Sequence, residues 1–193
     1  LQNELPAAGS SLAATELGQA LALNNDVAEK DGKPAGEPTE LALFEAAVKA
    51  GYDKQRLQQS SPRVGVLPFD SERKLMTTLQ QSGETVVAYT KGAPEQVLAL
   101  CHQYFGNENA LELNAEEVLQ QAEQLANEGY RVLAVARREF EHLPTPLQAE
   151  NIEQVLNFLG LVALIDPPRP EAAQAVADCQ SAGITPVMIT GDH

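Results

Sequence analysis

Hydrophobic positions along the chain recur at two kinds of spacing, three or four apart in some segments and alternating or continuous in others. After an Ala-, Ser-, Gly- and Gln-rich start of weak periodicity, Ala14 to Leu23 reads as a helix. Asn24 to Pro38 is polar and carries Asp31-Gly32 and Pro34-Ala35-Gly36, the chemistry of a loop. Thr39 can cap a helix that places Leu41, Phe44 and Val48 at helical spacing and closes on Gly51. Arg63 to Phe69, Lys74 to Gln80 and Thr85 to Thr90 are strand-like, and Ser82-Gly83 joins the last two as a hairpin turn. Pro94 suits the first turn of a helix running through Cys101, with Val97, Leu98 and Cys101 on one face. Asn114-Ala-Glu-Glu117 has the form of a capping box and opens a helix with Val118, Ala122 and Leu125 inward, ended by Gly129. Tyr130 to Arg137 then alternates as a strand, with Val132, Ala134 and Ala136 to one side and Arg131, Leu133 and Val135 to the other.

The pattern changes from about Leu159, beyond a polar connector holding Pro144 and Pro146. A near-continuous apolar strand (Gly160 to Ile165), a Pro-started helix (Pro170 to Ala182), Gly183 and a second apolar strand (Pro186 to Thr190) predict a βαβ unit of a buried parallel sheet. The expected fold class is therefore α+β, an antiparallel sheet flanked by helices over residues 1–157, followed by a partial α/β segment over 158–193. Two parallel strands leave both faces and both edges of a sheet uncovered, so the chain reads as a piece of something larger.

Composition narrows the function classes. The 193 residues are 44% hydrophobic, enough for a buried core, and 27 acidic against 13 basic residues give a net charge of −14. Such a surface repels phosphate backbones and anionic lipid, which argues against nucleic-acid and membrane-surface binding. The longest apolar stretch, about Phe158 to Ile165, falls well short of the ~20 residues that span a bilayer, and no N-terminal signal pattern is visible. Cys101 and Cys179 lie far apart and read as reduced core residues of a cytosolic protein.

Four segments carry candidate chemistry. In Gly36-Glu-Pro-Thr-Glu40 a plain loop-to-helix junction would have Thr39 as cap and Glu40 facing the helix dipole; the functional alternative is a carboxylate that accepts from an exocyclic amino group such as that of adenine. Phe69-Asp-Ser-Glu-Arg-Lys-Leu-Met76 puts an aromatic beside Arg73 and Lys74, which suits a purine with a phosphate tail, although a strand Phe and Met76 are more often core. In Lys91-Gly-Ala-Pro-Glu95 a strand end turns into a helix, Gly92 permits close backbone approach and Lys91 stands at the helix entrance; a solvated lysine is the ordinary reading. No Walker loop is present. Lastly, Asp166-Pro-Pro-Arg169 and Thr190-Gly-Asp192 each follow a predicted parallel strand, where α/β sheets place ligand groups; both could also be simple caps.

Taken in order and spacing, Lys91-Gly-Ala-Pro-Glu95, Asp166-Pro-Pro-Arg169 and Met188-Ile-Thr-Gly-Asp192 resemble the cytoplasmic headpiece of P-type cation-transporting ATPases, the group of calcium and sodium/potassium pumps. Asn24-Asn-Asp26, Gly36-Glu-Pro-Thr-Glu40, Phe69-Asp-Ser-Glu-Arg-Lys74 and Gly129-Tyr-Arg131 extend the resemblance over roughly residues 17 to 193. It implies a nucleotide-binding domain inserted into a phosphorylation domain of haloacid-dehalogenase type, with ATP and Mg²⁺ as cofactors. By position, Phe69 would stack on adenine, Glu40 would bond its amino group, Lys91 would line the pocket with Gly92 against the ring, and Arg131 would reach the phosphates. Lys74 would add positive charge there. Thr190, Gly191 and Asp192 would belong to the phosphorylation domain's γ-phosphate and Mg²⁺ site, with Asp166 and Arg169 supporting the hinge and that site.

Departures from the family pattern shape the expectation further. The Asp-Lys-Thr-Gly-Thr segment whose aspartate is phosphorylated does not occur in these residues, nor does Thr-Gly-Asp-Gly-x-Asn-Asp. No catalytic nucleophile and no metal ligand set is therefore assigned, and nucleotide binding without turnover is expected. Ser71 stands where some calcium pumps carry a phosphate-contacting arginine, a role Arg73 or Lys74 could take. The resemblance implies the cytoplasmic part of an integral protein of the plasma or inner membrane, with the phosphorylation, actuator and transmembrane domains of the same polypeptide as partners and calcium as the favoured ion. Rival readings are an acidic, non-catalytic protein-interaction module and a haloacid-dehalogenase-type phosphatase.

Overall fold

Strands with strong local turn signals make the centre of the fold, and helices close both of its faces. The computed structural model describes residues 11–30, 32–106, 113–165 and 170–187. Helix α1 (Leu12–Leu23) leads to a two-stranded ribbon, β1 (Ala28–Lys30) and β2 (Lys33–Ala35), then to α2 (Pro38–Lys49) and α3 (Lys54–Ser60). Next come β3 (Arg63–Asp70), β4 (Leu75–Ser82), β5 (Thr85–Gly92), α4 (Pro94–Leu100), β6 (Cys101–Tyr104) and α5 (Ala115–Asn127). The described chain ends with β7 (Arg131–Phe140), α6 (Ala149–Ile152), β8 (Leu156–Leu164) and α7 (Pro170–Ser181).

Six strands form one sheet in the order β3-β4-β5-β7-β8-β6, antiparallel except for the β6–β8 pair. Alternation along the strands decides what each face buries. Val87, Tyr89 and Val135 point to one side and pack under Leu21, Leu23, Leu43 and Ala47 of α1 and α2. Leu75, Ala134 and Ala136 point to the other and pack under Val97, Leu98 and Val118 of α4 and α5. Leu79, Val86 and Ala88 extend that second face beneath Ile152.

Several local expectations hold. Gly83 turns the β4–β5 hairpin with φ 61°, and Asn114 caps α5 by accepting from the Glu117 amide at 3.2 Å. Thr39, however, does not cap α2. The N-cap is Glu37, without a side-chain bond, and Pro38 takes the first helical position, where a missing N–H costs nothing. The polar segment read as a loop contains the β1–β2 ribbon, and Cys101 opens β6 instead of closing the preceding helix.

The apolar run from Gly160 was expected to open a separate parallel sheet, and the structure corrects this. It belongs to β8, which starts at Leu156, crosses the expected division after residue 157, and pairs antiparallel with β7 from Leu156's neighbour Asn157 through Leu164. Its continuous hydrophobicity reflects an inner strand with helices on both faces, a burial pattern that parallel and antiparallel strands share. Of the second predicted strand, Pro186 and Val187 are irregular, and Met188 to Thr190 lie outside the described residues.

Candidate functional site

The carboxyl end of α1 is the anchor of the site. Asn24 and Asn25 follow the helix and are both buried. The Asn24 amide donates to the carbonyls of Met76 (3.2 Å) and Tyr89 (2.9 Å), stitching the helix end onto β4 and β5. Three cations then converge on main-chain oxygens at this end, where the helix dipole is negative. Lys91 Nζ donates to the Asn24 carbonyl; Lys54 Nζ donates to the carbonyls of Asn25 (3.2 Å) and Val27 (2.8 Å) and to Asn25 Oδ1 (2.7 Å). Arg63 donates to the carbonyls of Leu23 (3.0 Å) and Asn25 (2.5 Å) and pairs with Asp26 at 2.8 Å.

Glu40 enters from the first turn of α2. Its Oε1 meets Lys91 Nζ at 2.9 Å, and its Oε2 accepts from the Asp26 amide at 3.0 Å. Both side chains are largely withdrawn from solvent, at 15% and 9% exposure. Burial holds the Lys91 ammonium below its ordinary pKa, and the hydrogen bond and charge of Glu40 oppose that shift. Met76, its cross-strand partner, adds a sulfur contact at 3.4 Å. Arg131, at the start of β7, donates to Thr39 Oγ1 at 2.7 Å, which ties it to the first turn of α2.

The structure thus brings Glu40 and Lys91 together, although 51 residues separate them. Phe69 lies on the edge strand β3, where a bulge sets Pro68 and Phe69 against Met76, and the residue is 64% exposed. An aromatic of that exposure is not a core residue. Gly92 has a second role that the sequence does not reveal: a Cβ there would lie 2.2 Å from the Lys74 carbonyl oxygen, so only glycine lets β5 pass the β3–β4 turn. Lys74 itself is half exposed, and its ammonium lies 3.7 Å from Glu95. Arg73 is bonded to Glu153 and to the Pro68 carbonyl, which commits it elsewhere than to a ligand phosphate. Asp166, Arg169, Thr190, Gly191 and Asp192 lie outside the described residues. Among the described residues no group of His, Cys, Asp and Glu could hold a metal ion, and no helix is long and apolar enough to cross a membrane.

The family model described as P-type ATPase, cytoplasmic domain N, matches residues 13–171. The chain belongs to that family. Similar proteins include a probable cation-transporting ATPase F of Mycobacterium tuberculosis, 42% identical over 177 residues that make up 89% of this chain and 20% of the relative. A calcium-transporting ATPase of Bacillus subtilis is 38% identical over 180 residues, 90% of this chain and 20% of the relative. The cation-transporting ATPase pma1 of a Synechocystis species is 39% identical over 164 residues, 84% and 18% of the two chains. This N domain therefore spans about a fifth of the length of the curated relatives it matches.

Sequence reasoning missed Lys54 and Arg63 in this N domain, because both act on main-chain carbonyls that leave no mark in the sequence. Burial, followed by the Arg63 charge, brings the Lys54 pKa down to about 8. Between that value and the 10.5 of a free lysine, the unfolded chain holds a proton that the folded chain has released, so stability rises with pH across this window. The urea midpoint of the parent should accordingly climb more between pH 8 and 10 than that of Lys54→Met. Parallel curves for the two proteins would show that Lys54 keeps an unshifted pKa.

Proposed function

We propose that this N domain is the ATP-binding part of a P-type ATPase that couples ATP hydrolysis to cation transport across a plasma or inner membrane. The exposed ring of Phe69 carries the reading, because it stands on a strand whose neighbours lead across Met76 to the Lys91–Glu40 pair. An aromatic face left in solvent suits a flat base. Phe69 stacks on adenine, Glu40 receives the exocyclic amino group, Lys91 and Gly92 line the same pocket, and Arg131 with Lys74 meets the phosphates. Thr39 holds the Arg131 guanidinium at the mouth of the site through the 2.7 Å bond.

Bound ATP supplies a transferable phosphoryl group, and this chain's described residues bind and orient it without attacking it. The motifs that follow β8 are assigned to the phosphorylation domain, with Asp166, Arg169, Thr190, Gly191 and Asp192 serving the γ-phosphate and its Mg²⁺. The rest of the polypeptide, with its phosphorylation, actuator and transmembrane domains, completes the pump. Calcium is the favoured cargo, since the Bacillus subtilis relative is named a calcium-transporting ATPase.

Titration calorimetry tests this directly. ATP and ADP should bind, and ATP affinity should fall more steeply with salt than adenosine affinity, because only ATP engages Arg131 and Lys74. Equal salt dependence would remove the phosphate contacts from the reading. ATP at ~100-fold over Kd should stabilise the fold by ~2.7 kcal/mol; an acidic interaction module would show no such gain. With Mg²⁺ and radioactive ATP the chain should form no hydroxylamine-sensitive phosphoenzyme, since Asp166 and Asp192 are not nucleophiles here. A labelled chain would sink that assignment and favour a phosphatase-like chemistry.

A further inference from the structure

Among the described residues, two besides glycine hold a left-handed backbone: Lys74 at φ 55° and Val155 at φ 53°. A β-branched residue such as Val155 adopts that conformation only where its surroundings impose it, and such strain gathers at functional positions. The two residues flank the ends of one ion pair. Arg73, next to Lys74, donates to Glu153 Oε1 and Oε2 at 2.6 and 2.5 Å, and Glu153 lies two residues before Val155. The Glu153 side chain is only 4% exposed. Its Oε1 also accepts from Thr77 Oγ1 at 2.7 Å, and Thr77 shares a 2.9 Å bond with Thr90.

A buried ion pair is weak evidence for stability, because apolar groups of similar volume often do as well. Its effect here is on the shape of the β3–β4 turn. Asp70 Oδ1 accepts from the amides of Glu72 and Arg73 at 2.9 Å each, and the Lys74 amide donates to the Asp70 carbonyl at 2.6 Å. The Lys74 carbonyl accepts from the Ala93 amide at 3.2 Å, in the space that Gly92 leaves. Arg73 supplies the third attachment, reaching across 80 residues of sequence and back to the Pro68 carbonyl. Phe69 and Lys74 are the two ends of this clamped turn.

We propose that Arg73, through Glu153, is a positioning residue of the nucleotide site: it fixes the turn that sets Phe69 and Lys74 against one ligand. The proposal rests on the ATP-binding reading above. Arg73 itself touches no nucleotide. Its guanidinium is consumed by Glu153 and Pro68, and its effect reaches the ligand through the residues on either side.

The test compares the 193-residue parent with Arg73→Lys and with the charge-free pair Arg73→Met/Glu153→Gln, which keeps an oxygen for Thr77. Without nucleotide, the amides of Arg73 and Lys74 in the double variant should exchange about tenfold faster while those of Val86 to Tyr89 stay unchanged. ATP affinity should fall about tenfold by calorimetry, with Arg73→Lys between the two. Added to Phe69→Ala, the double variant should cost less than it does alone, since only Lys74 is then left to position. A pair that only stabilises the fold would speed exchange in turn and sheet together, and its effect would add in full to that of Phe69→Ala. Either result overturns the proposal, as does unchanged ATP affinity in variants of a parent that binds ATP. A parent that binds no ATP overturns the reading of the site itself and this role with it, while the exchange rates still report whether Arg73 holds the turn. Should the double variant fail to fold, Arg73→Lys decides on the same readouts.

Discussion

Glu40→Ala should destabilise the chain by about 3 kcal/mol at pH 7, because it leaves a buried ammonium without its counter-charge. Lys91 is 7% exposed, and among the described residues its amine reaches only the Asn24 carbonyl, the Glu40 carboxylate and the Met76 sulfur. The Asp26 amide would lose its acceptor in the same step. Glu40→Gln should cost somewhat less, since its one amide oxygen still accepts from either Lys91 or the Asp26 amide, but it leaves the other donor facing an NH2 and removes the charge. The pH dependence identifies the cause. Burial already sets the folded pKa of Lys91 below its ordinary 10.5, and Glu40 is the main influence raising it. Without Glu40 the folded pKa drops further, so the unfolded chain binds the extra proton over a wider range and stability recovers as pH climbs. The deficit of Glu40→Ala, read from urea midpoints at constant slope, should therefore shrink between pH 7 and 10. A deficit that stays constant or grows would show that the ion pair is not its source.

Elements with local signals were legible in the sequence, and those fixed by distant partners were not. The β4–β5 hairpin follows from Ser82-Gly83, and α5 follows from Asn114 and Gly129, because a turn or cap needs only residues that are neighbours in the chain. The ribbon β1–β2 consists of short, exposed strands with no buried face to impose alternation. The strand β8 misleads for the opposite reason: it is covered on both faces, so its apolar run carries no period that would separate an antiparallel strand from a parallel one. Thr39 shows the same limit at one residue. Its composition and place before a helix suit a cap, yet its hydroxyl is taken by Arg131, 92 residues further on. Lys91 was read as a solvated lysine on local grounds and as a pocket residue by family resemblance; its burial against Glu40 overturns the first. The pair Arg73–Glu153 left no signal at all, since nothing local distinguishes a glutamate destined for a buried carboxylate site.

Phe69→Ala should weaken ATP binding by ~1–3 kcal/mol, about fivefold to 150-fold in Kd, while leaving the unliganded fold almost untouched. The two halves of this expectation have one origin. With 64% of the residue in solvent, the ring makes few contacts that folding depends on, so its removal should shift stability by no more than ~0.5 kcal/mol. That same exposed face is what a base would cover, so the apolar area withheld from the core becomes available to the ligand. Because adenine is common to both, adenosine and ATP should lose the same factor, in contrast to Arg131→Ala, which should weaken ATP far more than adenosine. Phe69→Leu should fall between Ala and the parent, restoring apolar area without the π-face. Calorimetry on ATP and adenosine, with thermal unfolding of each unliganded variant, separates the alternatives. If Phe69→Ala unfolds several degrees lower yet binds ATP as tightly as the parent, the ring serves the edge of the sheet and the base must sit elsewhere.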